Sequence, residues 1–60
     1  MKEFDWVELI VEKEKYSKEG VHKGMRGNID SIKGDSCLVI FDYSIDIAVD
    51  KEDLKIVTLN

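Results

Sequence analysis

Proline is absent from this chain of 60 residues, and cysteine and histidine occur only once each. Without a second cysteine the chain cannot form an internal disulfide, which excludes the disulfide-rich secreted scaffolds. A single thiol inside an apolar run instead favours a reducing, cytoplasmic setting. The longest apolar run has five residues, far fewer than the roughly 20 that cross a bilayer. The acidic start is unlike a signal peptide, so we expect a cytoplasmic protein that does not enter a membrane.

The length allows a single domain over residues 1–60, with a core in which every apolar position counts. The net charge is −4, but the middle third is basic. Its basic residues are Lys13, Lys15, Lys18, Lys23, Arg26 and Lys33. The overall acidity weighs against a dedicated nucleic-acid binder, whereas this basic segment keeps a local contact with nucleic acid open.

Strand-forming residues with a period of two dominate the chain, which indicates an all-β fold. In residues 4–11, Val7, Leu9 and Val11 share one side, and residues 45–50 alternate in the same way. The predicted strands cover residues 4–11, 25–32, 37–41, 45–50 and 55–58. Residues 12–20 are predicted to form a long exposed loop, because only Tyr16 is apolar there.

Several short segments predict turns and irregularities. Residues 33–36 have the glycine and aspartate of a hairpin turn, and residues 42–44 form the next turn. The alternation breaks near Ser31, which predicts a β-bulge. Residues 50–53 are predicted to cap and form one short 3-10 turn before the last strand.

Gly24 and Gly27 precede a strand rather than a helix. A phosphate-binding loop needs a helix after it, so we interpret these glycines structurally. One allows a positive φ, and the other permits a close backbone approach.

The segment from Lys23 to Ile32, followed by Gly34 and by Val39–Phe41, resembles the KOW motif of SH3-like barrels. Residues 47–57 are similar to the closing strands of that group, and residues 5–9 resemble the start of small bacterial stand-alone SH3-like proteins. The resemblance implies a small five-stranded antiparallel SH3-like barrel with a short 3-10 turn before the last strand. Such barrels serve in transcription factors, ribosomal proteins and protein-binding adaptors, so the resemblance does not choose among functions.

The sequence shows no catalytic or metal-binding constellation. His22 lies in a charged loop and Cys37 begins an apolar run, so solvation and burial explain them better than a nucleophilic pair. The acidic residues near the C-terminus lack the pattern of a calcium loop, and a solvated edge that discourages strand aggregation explains them better. These residues are Asp42, Asp46, Asp50, Glu52 and Asp53. We therefore expect no enzyme, cofactor, metal or small-molecule substrate.

Four large apolar residues are left over by the period-two pattern. If Val7, Leu9, Val39 and Phe41 face the core, then Trp6, Ile10, Leu38 and Ile40 face outward. They either form an interface or lie beneath another part of the chain. Tyr16, in the first loop, either contacts a ligand or fastens that loop to the domain.

Two functions follow from these patterns. The first is a non-catalytic module that binds a protein partner, or a second copy of itself, through the outward apolar residues, with Tyr16 as a further contact. The second is a nucleic-acid contact, with RNA or the ribosome, through the basic segment 13–34.

Overall fold

The computed structural model describes residues 1–42 and 44–57. It contains one antiparallel sheet of five strands, which confirms the predicted all-β class. The strands are β1 (Trp6–Leu9), β2 (Arg26–Lys33), β3 (Ser36–Phe41), β4 (Ile45–Asp50) and β5 (Leu54–Ile56). Their order in the sheet is β4-β3-β2-β1-β5, so the first and last strands are neighbours. No helix among the described residues has the length and apolar character needed to cross a membrane.

One face of the sheet carries the core, as the alternation of apolar residues predicted. Val7 and Leu9 of β1 and Val39 and Phe41 of β3 are fully buried, whereas Val11 is half-buried and packs against them. The whole buried apolar cluster consists of Val7, Leu9, Tyr16, Val21, Ile29, Cys37, Val39, Phe41, Val49 and Leu54. Because side chains alternate along a strand, the residues between these positions face away from the core.

The predicted bulge is present in β2. The register between β2 and β3 shifts between Ile29 and Ser31, where the alternation of the sequence breaks. A bulge of this kind adds one residue to one strand and increases its twist. It allows both halves of β2 to keep their apolar residues toward the core.

Gly27 lies where the backbone of the neighbouring strand approaches closely, as the sequence analysis predicted for one of the two glycines. A Cβ atom at this position would lie 2.4 Å from the backbone oxygen of Ile40 on the neighbouring strand. Gly24 has a φ of +94°, a conformation that other residues adopt only at a cost. Both interpretations of the glycines are therefore confirmed.

The first long connection differs from its prediction. Glu14–Ser17 form a one-turn helix, α1, within the segment expected to be a loop. Tyr16 is buried with 2% of its surface exposed. A single large aromatic side chain is enough to attach α1 to the core, and the sequence interpretation underestimated that contribution.

Lys51–Asp53 form a 3-10 helix, as predicted, and β5 follows it. Asp50 stands at the N-cap position but makes no capping hydrogen bond with its side chain. Its carboxylate instead pairs with Lys15 at 2.6 Å. Within the predicted turn 42–44 and last strand 55–58, Tyr43 and Thr58 lie outside the described residues.

Candidate protein-interaction site

A row of side chains crosses the face of the sheet opposite the core. Trp6 of β1 pairs with Asn28 of β2, and Asn28 pairs with Ile40 of β3. Residues directly opposite each other on antiparallel strands place their side chains on the same face. We call Trp6, Asn28, Ile40 and the neighbouring Leu38 the Trp6 face.

A shallow depression of about 230 Å³ lies in the middle of the Trp6 face. Its lining residues are Trp6, Arg26, Gly27, Asn28, Ile40 and Asp42. Its volume lies below the roughly 300–1,000 Å³ typical of small-molecule pockets. Asn28 lies between Trp6 and Ile40 in the register, whereas Gly27 pairs with the buried Val7 and Phe41. The shape fits one or two inserted side chains of a partner better than an enclosed metabolite.

The four outward apolar residues do not form a single patch. Trp6 and Ile40 are brought together, and Leu38 follows on the same side of β3 two residues away. Ile10 is exposed, but Glu8 separates it from Trp6 along the chain, and its backbone N–H donates to the carbonyl of Asp53 at 2.9 Å. Ile10 therefore belongs to the end of the sheet near the 3-10 helix.

Phe4 is a second exposed aromatic residue near Trp6, and the sequence analysis did not single it out. Its side chain is 75% exposed, and its backbone has a φ of 70°. The side-chain amide of Asn28 donates to its carbonyl at 3.4 Å, which places Phe4 beside the Trp6 face. The strand-forming composition of residues 4–11 predicted an extended backbone. No local sequence pattern predicts that an aromatic residue adopts a positive φ.

The charges near the depression are unequally matched. Glu8 accepts a hydrogen bond from Arg26 at 2.9 Å and lies 3.7 Å from the Lys55 ammonium. The hydrogen bond from Arg26 is the main cause that holds the pKa of Glu8 below its ordinary value. Asp42 and Asp46 are exposed and have no ion-pair partner among the described residues. The uncompensated charge beside the depression is thus acidic.

Tyr16 is buried within the domain. The sequence left two roles open for it, a contact with a partner or attachment of the first loop to the domain. Its hydroxyl donates to Oδ2 of Asp53 at 2.6 Å and accepts from the backbone N–H of Asp50 at 3.1 Å. Lys13 donates to both carboxylate oxygens of Asp53 at 3.1 Å. With so little of its side chain exposed, Tyr16 fastens α1 to the 3-10 helix, and we leave it out of the contact surface.

This network has opposite effects on its two acidic groups. Burial by itself raises the pKa of Asp53, but hydrogen bonds from Tyr16 and Lys13 outweigh it, and the pKa lies below its ordinary value. Burial, followed by the hydrogen bond to Asp53, raises the pKa of Tyr16. No buried side-chain nitrogen or oxygen among the described residues lacks a hydrogen-bond partner, so the network is fully satisfied.

Half of the cations in the basic segment form ion pairs with carboxylates. Lys13 pairs with Asp53, Lys15 with Asp50 and Arg26 with Glu8. The other members, Lys18, Lys23 and Lys33, are exposed. Lys18 follows α1, whereas Lys33 ends β2, so these cations are distributed over separate elements. Pairing with acids reduces the positive potential that the sequence alone suggested.

His22 and Cys37 lie in different environments. The Nδ1 atom of His22 is 2.8 Å from Oε2 of Glu12 in an exposed pair, whereas Cys37 is buried in the core. A backbone hydrogen bond from Lys23, with a smaller effect of His22, lowers the pKa of Glu12. Within the part of the chain that the structure describes, no three His, Cys, Asp or Glu side chains are placed to hold a metal ion.

The geometry defines a small all-β domain with a partly exposed face, which carries Trp6 and the half-buried Leu38 and Ile40, beside the exposed carboxylates of Asp42 and Asp46. No family model matches the chain, and comparisons with curated proteins and with solved structures find no match.

Proposed function

We propose that this domain is a non-catalytic protein-binding module that docks a partner protein on the Trp6 face. The observation that carries the proposal is the position of Trp6. Its indole, 38% exposed, stands beside Ile40 in an open depression. Exposed aromatic side chains next to a pocket are typical anchors of protein interfaces.

We further propose that the sheet is an SH3-like barrel. Five short strands, the long first connection and the 3-10 helix before β5 support this assignment. The neighbouring positions of β1 and β5 in the sheet support it as well. In this arrangement the Trp6 face belongs to β1, β2 and β3, each of which pairs with a strand on both sides.

Energetics favours a partner on this face. Full burial of a large apolar side chain stabilises by about 1.5–3 kcal/mol relative to exposure. Phe4 and Trp6 leave part of this stabilisation unused in the isolated chain. The left-handed backbone of Phe4 adds a cost of roughly 1–2 kcal/mol for a residue other than glycine. Contact with a partner would recover the unused burial.

The basic segment supports the alternative, a nucleic-acid contact, less well. Three of its six cations are already paired with carboxylates, and the chain as a whole is acidic. Phosphate contacts lose affinity steeply with salt, whereas an apolar docking contact does not. A titration with single-stranded RNA and duplex DNA at about 150 mM salt separates the two functions. Submicromolar binding that Lys23→Glu removes would favour the nucleic-acid contact.

The Trp6 face is tested by panning a random dodecapeptide phage library against the wild-type domain. We expect binders that saturate, shift the Trp6 emission to the blue and fail to bind the double variant Trp6→Ala/Ile40→Ser. Ile56→Ser is the matched control, because Ile56 is also exposed and apolar but lies on β5. Circular dichroism must show that all three proteins are folded.

Two results would contradict the proposal. Binders that lose affinity equally with Ile56→Ser would show that the Trp6 face has no special role. Unfolding of the double variant would assign Trp6 and Ile40 to the core. Sedimentation of the wild type at several concentrations shows whether a second copy occupies the face.

A further inference from the structure

The outer edge of β4 has a defined pattern of backbone groups. In an antiparallel strand, successive residues direct their N–H and C=O groups to alternate sides. The N–H of Asp50 donates to the Tyr16 hydroxyl, away from β3, whereas the N–H of Lys51 donates to the carbonyl of Asp35 on the β3 side. With Leu38 opposite Ala48 in the register, Asp46 and Ala48 also direct their backbone groups away from β3.

Among the described residues, hydrogen bonds and an ion pair close the Asp50 end of this edge. Tyr16 occupies the N–H of Asp50, and Lys15 pairs with the Asp50 carboxylate. The N–H and C=O groups of Asp46 and Ala48 point away from β3 and have no hydrogen-bond partner among the described residues. Both residues are exposed. Two donors and two acceptors thus remain at the spacing that an added antiparallel strand would match.

We propose that the β4 edge binds an extended segment of a partner protein that carries Lys or Arg opposite Asp46. Backbone hydrogen bonds to Asp46 and Ala48 would add the segment to the sheet as a sixth strand. Asp46 has no ion-pair partner among the described residues. Opposite charges directly across an antiparallel pair are favourable, whereas like charges are not.

The charge of the chain decides which occupant fits. A second copy would bring a net charge of −4 against a net charge of −4, and each copy would present its own Asp46 near the shared edge. A basic segment meets no such repulsion, and its cations are attracted during the encounter. The inference goes beyond the proposed function, because it concerns the backbone edge of β4, which borders the Trp6 face where Asp46 pairs with Ile40. Trp6, Asn28, Ile40 and Asp46 stand on four successive strands, so Asp46 lies about 14 Å from Trp6.

The experiment measures amide hydrogen exchange by NMR with two synthetic probes. The basic probe is the peptide Thr-Val-Lys-Val-Lys-Val-Thr, and the acidic probe replaces both lysines with glutamate. We expect the basic peptide, at ten times its dissociation constant, to slow the exchange of the Asp46 and Ala48 amides about tenfold. Ile47 and Val49, whose amides already bond β3, serve as internal references and should change less.

The charge-reversal variant Asp46→Lys should weaken the basic peptide about fivefold, since an attractive cross-strand pair becomes a repulsive one. Asp35→Lys is the matched control, because it makes the same change of charge at another exposed position. Circular dichroism should show both variants folded, and Asp46→Asn gives the same test with a smaller change.

Three results would overturn the inference. The first is no protection of Asp46 and Ala48 at millimolar basic peptide. The second is equal protection by the acidic peptide, which would remove the role assigned to Asp46. The third is protection that rises with protein concentration alone, which would identify a second copy as the occupant. A failure of the Trp6 variants to lose their binders leaves these readouts unchanged, so the two proposals can fail separately.

Discussion

Replacing Tyr16 with phenylalanine tests how the first long connection is held. The substitution keeps the aromatic ring in the core and removes only the hydroxyl. That hydroxyl donates to Asp53 at 2.6 Å and accepts from the backbone N–H of Asp50 at 3.1 Å. Phenylalanine would therefore remove one hydrogen bond to a charged acceptor and one from a backbone donor.

The expected loss follows from these two bonds. A hydrogen bond to a charged group contributes about 1.5–3 kcal/mol, and a neutral one about 0.5–1.5 kcal/mol. The sum is about 2–4.5 kcal/mol, a large part of the few kcal/mol that stabilise a domain of this size. For a chain of 60 residues we expect the melting temperature to fall by about 15–35 °C.

Thermal and urea denaturation, followed by circular dichroism, measure this loss. Ser17→Ala is the matched control, because it removes another hydroxyl from α1 that makes only a 3.4 Å bond to the Glu14 carbonyl. It should change the free energy of unfolding by less than about 0.5 kcal/mol. A double-mutant cycle with Asp53→Asn should give a coupling energy near 1 kcal/mol or more. A loss below about 0.5 kcal/mol for Tyr16→Phe would refute the reasoning, as would an equal loss for Ser17→Ala.

Three further predictions follow from the core and the network. Gly27→Ala should lower the free energy of unfolding by about 2 kcal/mol or more, because its Cβ would lie 2.4 Å from the Ile40 carbonyl oxygen in a central strand. Gly24→Ala should lower it by about 1–2 kcal/mol, because the position has open space but a positive φ. Chemical denaturation measures both losses. Because the pKa of Asp53 is lowered in the folded state, its carboxylate stabilises the fold above the unfolded-state pKa of about 4, and this stabilisation is lost as the pH falls through the folded value. At pH values below about 4 the urea midpoint should therefore decrease, and it should decrease less in Asp53→Asn. Cys37 is buried, so a thiol reagent such as dithionitrobenzoate should react at a rate that increases with urea, and rapid labelling of the native protein would contradict this burial.

The strands were predictable because their signals are local. Val7 and Leu9 alternate with polar or outward residues, and Ile45 and Val49 do the same in β4. Each strand needs only a period of two and a turn at each end to be recognised. The bulge near Ser31 was also predictable, since it corrects a break in that same period.

The attachment of α1 was not predictable, because it depends on residues far apart in the sequence. Tyr16 and Asp53 are 37 positions apart and meet only in the folded sheet. A charged segment with one aromatic residue has no helical period, so the sequence favoured a loop. The sequence analysis also missed the exposed Phe4 and the separation of Ile10 from Trp6. The period-two alternation assigns each side chain to a face of the sheet, but it does not give the position along the sheet.

The position of Trp6 between two strands also determines when the candidate binding surface can form during folding. Its carbonyl accepts from the N–H of Val57 at 2.9 Å, while β2 pairs with its other side. The contact with Val57 closes a loop of about 50 residues, and contacts of such sequence separation are the slow, costly steps in forming a β-sheet. The hairpins of β2, β3 and β4 can form from local pairing while Trp6 is still unconstrained. Trp6 fluorescence should therefore report the formation of these β1 pairings, and a partner that needs this surface would bind only chains in which β1 has paired with both β2 and β5.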